Sequence, residues 1–199
     1  ALAAFAARSD GTVTLQVEAL DMLATWESPS NRDRVLGMWR PLSNRDREVA
    51  VAALLPKLGA MLSGSNDVRV KATQVASQFG LPEAGPALLE LFADAKQPAK
   101  VRADAIHGLG KLKAVETPGA IQSALTDSEP LVRAAARTAL ASIDPEAAVA
   151  PLQVALSAET TIERQEAAAA LATIESDTAM QVLVTAVEKL IAGEIPADT

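Results

Sequence analysis

An arginine followed three residues later by an alanine recurs at a nearly constant interval along this chain. The arginines are Arg69, Arg102, Arg133 and Arg164, separated by 33, 31 and 31 residues. A period of about 20 to 50 residues is typical of a solenoid, in which each repeat buries its apolar face only against its neighbours. The repeat therefore predicts an array of stacked helical pairs rather than a single closed core.

The composition agrees with an array of closely packed helices. Hydrophobic residues make up 49% of the 199 residues, but aromatic residues make up only 3%. Alanine is abundant, and it has the highest helix propensity of the amino acids. No segment alternates apolar and polar residues over the length of a strand. We therefore expect an all-α chain whose helix content exceeds about two-thirds, against about one-third in an average globular protein.

Apolar periodicity and glycine or proline breaks predict the individual helices. The predicted segments are 1–8, 13–26, 47–62, 67–79, 86–94, 98–112, 118–126, 130–143, 146–157, 161–175 and 178–192. They predict a right-handed α-α superhelix of about five helical pairs, with the arginine-bearing helices in one layer and their partners in the other. We expect residues 1–199 to form one solenoid domain that is part of a longer chain.

The recurring arginines need a partner, because each lies in the first turn of the second helix of its pair. The helix dipole is unfavourable to a cation at that end. A carboxylate in the preceding turn is the expected partner, and Asp127 lies six residues before Arg133. We predict that these residues form a structural arginine ladder, namely Arg69, Arg102, Arg133 and Arg164 with Asp127.

The residues around these arginines closely resemble HEAT repeats of the PBS-lyase type. The resemblance is carried by a proline shortly before a Val-Arg-x-x-Ala core, at 98–105 and 130–136, and it extends over 67–175. It is looser in an earlier unit, where Gln16 takes the arginine position, and the fourth unit departs because Glu163 takes the valine position. The resemblance implies a HEAT/armadillo-like solenoid, a fold that serves many functions.

One segment, residues 27–46, interrupts the repeat. The string SNRDR occurs twice in and beside it, at 30–34 and 43–47. The two tryptophans of the chain also belong here, because Trp26 precedes the insertion and Trp39 lies within it.

Two interpretations of this insertion are open. Tryptophan and arginine are enriched at binding hot spots, which favours an interaction patch made by Arg32, Arg34, Trp39 and Arg40. Alternatively, the apolar side chains form a hydrophobic plug, because their burial would offset the entropy of ordering the segment. We expect the plug, with a short helix from Asp33 to Met38, a mostly buried Trp39 and the arginines at its rim, where a neighbouring domain would dock.

The segment from Leu23 to Leu42 reads L-x-x-W-x-x-P-S-x-R-D-R-V-L-G-M-W-R-P-L. It resembles the helical region of large, secreted, PVC-type haem-binding, membrane-bound dehydrogenase-like bacterial proteins. In that family a propeller similar to sugar dehydrogenases precedes the helical region and a c-type cytochrome domain follows it. The resemblance implies a parent protein of the periplasm or cell envelope, with sugar- or alcohol-dehydrogenase-like activity and haem c in another domain.

Charge and composition narrow the chemistry of the segment itself. The net charge of −7 argues against nucleic acid as the main partner. Without cysteine the segment holds no thiolate ligand and no Cys-x-x-Cys-His haem site. No apolar run approaches the roughly 20 residues of a membrane helix. The single histidine, His107, has no second histidine and only Asp104 nearby, so we predict no catalytic, cofactor or metal residue.

Three functions remain open from the sequence. The first is a non-catalytic scaffold that links a dehydrogenase-like propeller to a c-type cytochrome domain within the parent protein. The second is an independent, monomeric HEAT module that binds a peptide or protein and has no redox role. The third is a lyase or isomerase acting on bilin chromophores, which only the name of the repeat type suggests. We favour the first and expect protein partners, with no cofactor in this segment.

Overall fold

The computed structural model describes residues 1–33, 35–113, 117–158, 160–196 and 198. Helical residues make up 68% of this part of the chain and it contains no strand, which confirms the all-α prediction. The α-helices are α1 (Leu2–Ala6), α2 (Val13–Ala24), α3 (Arg47–Leu54), α4 (Leu58–Leu62), α5 (Asn66–Gln78), α6 (Gly85–Ala93), α7 (Ala99–Leu112), α8 (Thr117–Ala124), α9 (Pro130–Ile143), α10 (Pro145–Ala155), α11 (Thr161–Leu171) and α12 (Asp177–Ile191).

The chain divides into two compact units, Ala1–Ala87 and Leu88–Thr199. In the first unit α2 packs against α1 and α5, while α3 contacts α1 and α4 contacts α5. In the second unit α7, α9 and α11 pack successively against one another, and α8, α10 and α12 lie against them or against each other. The arginine-bearing helices of the second unit therefore form one layer, as the repeat predicts.

Small residues allow the helices of this layer to approach closely. The alanines that follow the recurring arginines are all buried, namely Ala72, Ala105, Ala136 and Ala167. Gly110 in α7 is also buried, and a methyl group placed on it would lie 3.0 Å from Cβ of Ala139 in α9. That spacing is shorter than an ordinary carbon–carbon contact of about 3.5–4.0 Å. The backbone of α7 thus packs directly on a side chain of α9.

The predicted helix at 47–62 is not continuous, and this part of the prediction is wrong. The structure has α3, a 3₁₀ turn at Leu55–Lys57 and then α4. Pro56 lies in the turn, where its ring replaces the backbone N–H and interferes with the carbonyl one turn earlier. The helices predicted outside the insertion at 27–46 are otherwise present, with ends that differ by a few residues. None of the helices in the described residues is long and apolar enough to cross a bilayer.

Candidate functional site

Arg102 of α7 bonds to the helix before it and to the repeat after it. Its Nε donates to the carbonyl oxygen of Phe92, in the last turn of α6, at 3.0 Å. Its two terminal nitrogens donate to the two carboxylate oxygens of Asp127, and both side chains are largely buried. A guanidinium that binds both oxygens of a carboxylate has a fixed orientation, so this pair sets the position of the turn after α8.

Arg133 of α9 repeats this arrangement one unit later. Its Nη1 donates to the carbonyl oxygens of Asp127 and Ser128, at 2.8 Å and 3.0 Å. Its Nε and Nη2 donate to the two carboxylate oxygens of Glu163, at 2.9 Å and 2.8 Å. The carboxylate partner therefore belongs to α11, the second helix of the next pair.

Glu163 is a heavily bonded carboxylate of the second unit. Its side chain is only 3% exposed and also accepts hydrogen bonds from Arg137 Nη1, at 2.9 Å, and from the Thr160 hydroxyl, at 2.8 Å. Burial by itself would raise the pKa of this carboxyl group, but the bonds from Arg133, Arg137 and Thr160 outweigh burial and lower the pKa to about 2. Glu163 is therefore ionised throughout the neutral pH range.

The residues at the arginine position of the last and the first repeat make similar hydrogen bonds. Arg164 Nη1 donates to the carbonyl oxygen of Ala158, at 2.9 Å, and Nη2 donates to the carboxylate of Asp198, at 2.5 Å. In the first unit Gln16 takes this position, and its Nε2 donates to the carbonyl oxygen of Ala6, at 2.9 Å. The shared feature is a bond to the carbonyl oxygens that end the preceding helix.

This geometry explains why a cation is placed in the first turn of its own helix. The guanidinium reaches back to the carbonyl oxygens near the end of the neighbouring helix, where the partial charge is negative. Arg102, Arg133 and Arg164 each bind a carboxylate that lies later in the chain, by 25, 30 and 34 residues respectively. Arg69 donates from Nη2 to the side-chain oxygen of Asn66, at 3.2 Å.

The predicted pairing of Arg133 with the Asp127 carboxylate is wrong. Arg133 contacts the backbone carbonyl of Asp127, whereas the carboxylate belongs to the Arg102 pair. Sequence reasoning also missed Glu163, although a glutamate in place of the expected valine was the signal for it. A charged residue at a position that is otherwise apolar and buried needs a charged partner.

The insertion folds into a small hairpin, which we define as the segment from Asn31 to Arg40. The backbone N–H of Arg40 donates to the carbonyl oxygen of Asn31, at 2.7 Å. The backbone N–H of Asp33 donates to the carbonyl oxygen of Met38, at 2.9 Å. Gly37 supplies the positive φ of +66° that the turn requires. The hairpin is thus closed by backbone hydrogen bonds.

The prediction of a helix from Asp33 to Met38 is wrong, because Asp33 and the described residues 35–38 are not helical. Oδ1 of Asp33 accepts the backbone N–H groups of Val35 and Leu36, at 2.9 Å and 2.7 Å. An aspartate that binds nearby backbone groups in this way offers the chain an alternative to a helix. The side chain therefore fixes a turn at the place where the apolar spacing suggested a helical turn.

The second copy of SNRDR leads into a helix instead of a turn, although its aspartate also accepts a backbone N–H. Asp46 is the N-cap of α3 and accepts the backbone N–H of Glu48, at 2.9 Å. Arg45 lies over the ring of Trp26, 4.6 Å from its centre, and Trp26 Nε1 donates to the Asp46 carbonyl, at 3.0 Å. The second copy thus attaches the end of the insertion to the helical scaffold.

The hydrophobic plug is the second prediction about the insertion that is wrong. Trp39 is 64% exposed and Val35 is 90% exposed. The other apolar side chains of this part of the insertion are also exposed, namely Leu36, Met38 and Leu42. Hydrogen bonds rather than apolar burial hold the hairpin, so its hydrophobic side chains remain in contact with solvent.

The structure brings together part of the predicted interaction patch. Arg32 pairs with Trp39 in an isolated antiparallel bridge, and Arg32 Nη1 donates to the carbonyl of Gly37, at 3.1 Å. The side chain of Arg40 is 62% exposed and its Nε lies 3.7 Å from Asp33 Oδ2. Arg34, the fourth predicted member, lies outside the described residues.

The exposure of Trp39 leads to a fluorescence prediction. In a Trp26→Phe variant, which isolates Trp39, we expect red-shifted emission that acrylamide quenches readily, because most of the indole contacts water. The matched Trp39→Phe variant retains Trp26, which is half-buried and hydrogen-bonded, so its emission should be less accessible to the quencher. Equal quenching of the two variants would contradict the exposed hairpin.

The described residues contain no group of three or more His, Cys, Asp or Glu side chains arranged to hold a metal ion. Burial lowers the pKa of His107 below its ordinary value, despite the opposing charges of Glu166 and Asp104. His107 therefore has the character of a neutral, partly buried side chain of α7.

The match to a family model is consistent with the helical pairs. Residues 117–189 match the family model of HEAT repeats, so the all-α fold is HEAT-like. A chain from the structure of the complex of CpcE and CpcF of phycocyanin lyase from Nostoc sp. PCC7120 is similar, with 20% identity and a TM-score of 0.46. The alignment covers 95% of this chain and 93% of that chain. No curated protein sequence matches the chain.

Proposed function

We propose that this segment is a non-catalytic protein-interaction module, and that the hairpin of the insertion is its binding surface. The observation that carries the proposal is the 64% exposure of Trp39 in a segment closed by backbone hydrogen bonds. Leaving a large apolar side chain in water costs free energy that its burial in a partner would recover. An ordered hairpin with several such side chains is typical of a docking site.

The charged groups of the hairpin suit the same role. Arg32 and Arg40 flank Trp39 along the chain, and tryptophan and arginine are the residue types most enriched at binding hot spots. The hairpin is also pre-organised, because the Asp33 side chain and the backbone pairs fix its turn. Binding would therefore cost less conformational entropy than the ordering of a flexible loop.

The partner that we propose is a neighbouring domain of the parent protein. The segment from Leu23 to Leu42 resembles the helical region between a dehydrogenase-like propeller and a c-type cytochrome domain. In such a parent, secreted to the periplasm or cell envelope, the haem of the cytochrome domain would accept electrons. This segment would hold the two domains at a fixed distance and contribute no reacting group.

The coding sequence on both sides of this segment provides the first test. We expect a signal peptide and propeller repeats upstream and a Cys-x-x-Cys-His haem site downstream. If both flanks lack these features, the linking role is wrong and the independent protein-binding module takes its place.

Amide hydrogen exchange provides the second test and addresses the hairpin directly. We expect residues 35–42 to exchange more slowly in the full-length parent than in the 199-residue segment, because docking removes solvent from the hairpin. Exposed residues of α10, in the second unit, serve as the internal control and should exchange alike in both. Equal exchange of 35–42 in the two proteins would contradict docking through the hairpin.

A further inference from the structure

A cleft of about 290 Å³ lies beside the hairpin. One wall comes from α2 and the residues just after it, including Met22, and another comes from Leu42 of the insertion. Both of these apolar side chains are exposed, at 43% and 52% respectively. The volume is at the lower limit of ordinary ligand pockets, about 300 Å³, and suits one or two side chains of a partner.

Arginines dominate the charge of this cleft. Arg32, Arg40 and Arg45 line it, and Asp33 is the one acidic residue among its lining residues. Oδ1 of Asp33 already accepts two backbone N–H groups, while Oδ2 is buried without a hydrogen-bond partner. The 3.7 Å between Arg40 Nε and Asp33 Oδ2 is longer than a hydrogen bond. The exposed Arg40 guanidinium is therefore accessible to an incoming ligand.

The local charge is opposite to that of the whole protein. Residues 27–47 contain five arginines against three acidic residues, whereas the full chain has a net charge of −7. Salt screens charges beyond about 8–10 Å, so a short ligand in the cleft responds mainly to the nearby arginines. A long polyanion such as a nucleic acid would also extend over the acidic remainder of the surface. The charge distribution thus favours a short acidic ligand.

We propose that this cleft binds a short segment of a protein partner in which an aspartate or glutamate lies beside an apolar side chain. The carboxylate would accept hydrogen bonds from Arg40 and Arg32, since guanidinium groups bind both carboxylate oxygens at once. The apolar side chain would pack on Met22 and Leu42. This inference rests on the proposed function, because it names the chemistry that the partner presents to the hairpin region.

Fluorescence anisotropy with a defined probe tests the proposal on the 199-residue protein. The probe is a fluorescein-labelled peptide in which one leucine is flanked by glutamates, and the comparison peptide carries glutamines in their place. We expect the glutamate peptide to bind at least about tenfold more tightly, and its affinity to fall as salt is raised. Equal affinity of the two peptides would overturn the proposal, and so would tighter binding of a labelled single-stranded DNA.

Matched variants locate the binding. Arg40→Gln should weaken the glutamate peptide about tenfold, and Arg40→Lys should weaken it less because the charge remains. Lys57→Gln removes the same charge from an exposed position of the same unit, outside the cleft, and should leave binding unchanged. Equal effects of Arg40→Gln and Lys57→Gln would show non-specific attraction and overturn the site. Circular dichroism and thermal denaturation confirm that each variant is folded.

Different results would contradict docking through the hairpin and carboxylate binding in the cleft. If residues 35–42 are protected in the parent but the two peptides bind alike, docking stands and the preference for carboxylates is wrong. If the glutamate peptide binds and residues 35–42 exchange freely in the parent, the cleft serves a separate partner instead of a neighbouring domain.

Discussion

Replacing Glu163 by glutamine is expected to lower the free energy of unfolding by about 3–5 kcal/mol. The carboxylate is 3% exposed and accepts hydrogen bonds from Arg133, Arg137 and Thr160. Glutamine is similar in size, but it is neutral and removes the carboxylate to which two partly buried guanidinium groups donate. Urea denaturation followed by circular dichroism at neutral pH measures the change in midpoint.

Glu166→Gln is the matched control for this substitution. Glu166 lies on the same helix, three residues further along, and is exposed to solvent. Its substitution should change the free energy of unfolding by no more than about 0.5 kcal/mol, as for most surface positions. A Glu163→Gln variant as stable as the Glu166→Gln variant would contradict a structural role for the arginine ladder.

The pH dependence of the stability of the wild type and of the Glu163→Gln variant separates the effect of the charge from the effect of the side chain's shape. The pKa of Glu163 is about 2 in the folded protein, against 4.5 for an unperturbed glutamate. Because the folded pKa is the lower one, this stabilisation is complete above about pH 4.5 and is lost as the pH falls toward 2. The shift corresponds to about 3 kcal/mol. We expect the difference between the wild type and Glu163→Gln to be constant from pH 7 to about 5 and to shrink below that. A difference that stays constant to about pH 3 would contradict the assigned cause.

The helices could be predicted from sequence because their signals are local. A period in the positions of arginine and alanine, with glycine and proline breaks, is read directly along the chain. Pro56 is an exception, because the apolar spacing of 47–62 predicts one continuous helix although Pro56 has no backbone N–H. The covalent constraint of proline decided the local structure.

The partners of the arginines could not be predicted in the same way. Asp127 is close to Arg133 along the chain, yet its carboxylate pairs with Arg102 from the previous repeat. Arg102, Arg133 and Arg164 also donate to backbone carbonyls, which every residue carries and which leave no trace in the sequence. Only Glu163, an acid at an apolar position of the repeat, indicated where a buried carboxylate lay.

The insertion shows a different limit of sequence reasoning. Five apolar side chains in a short segment predict burial, because burial offsets the entropy of ordering the chain. In the structure, Asp33 and Gly37 fix the turn through hydrogen bonds and a positive φ, so order does not require burial. Hydrophobicity alone does not distinguish a side chain that packs inside its own fold from one that packs on a partner.

Replacing Gly110 by leucine is expected to lower the free energy of unfolding by about 2–4 kcal/mol, the second large effect. A Cβ atom on Gly110 would lie 3.0 Å from Ala139 Cβ and 3.3 Å from Ala139 Cα. Ala139 is itself buried, and the Cα atom belongs to the backbone of α9, so neither atom can move aside locally. The helices α7 and α9 must separate, and overpacking of this kind typically costs about 1–3 kcal/mol and sometimes more. Thermal denaturation followed by circular dichroism measures the loss.

Gly119→Leu is the matched control, because Gly119 lies in a helix of the same unit and a Cβ atom there would meet nothing within 4 Å. This control should be neutral or slightly stabilising, since leucine favours a helix by up to about 1 kcal/mol relative to glycine. Gly110→Ala adds only the Cβ atom, so the same gain in helix propensity opposes a smaller steric cost and its effect should fall between the two leucine variants. If Gly110→Leu were as stable as Gly119→Leu, α7 and α9 would not be in the close contact that the repeat's small residues provide.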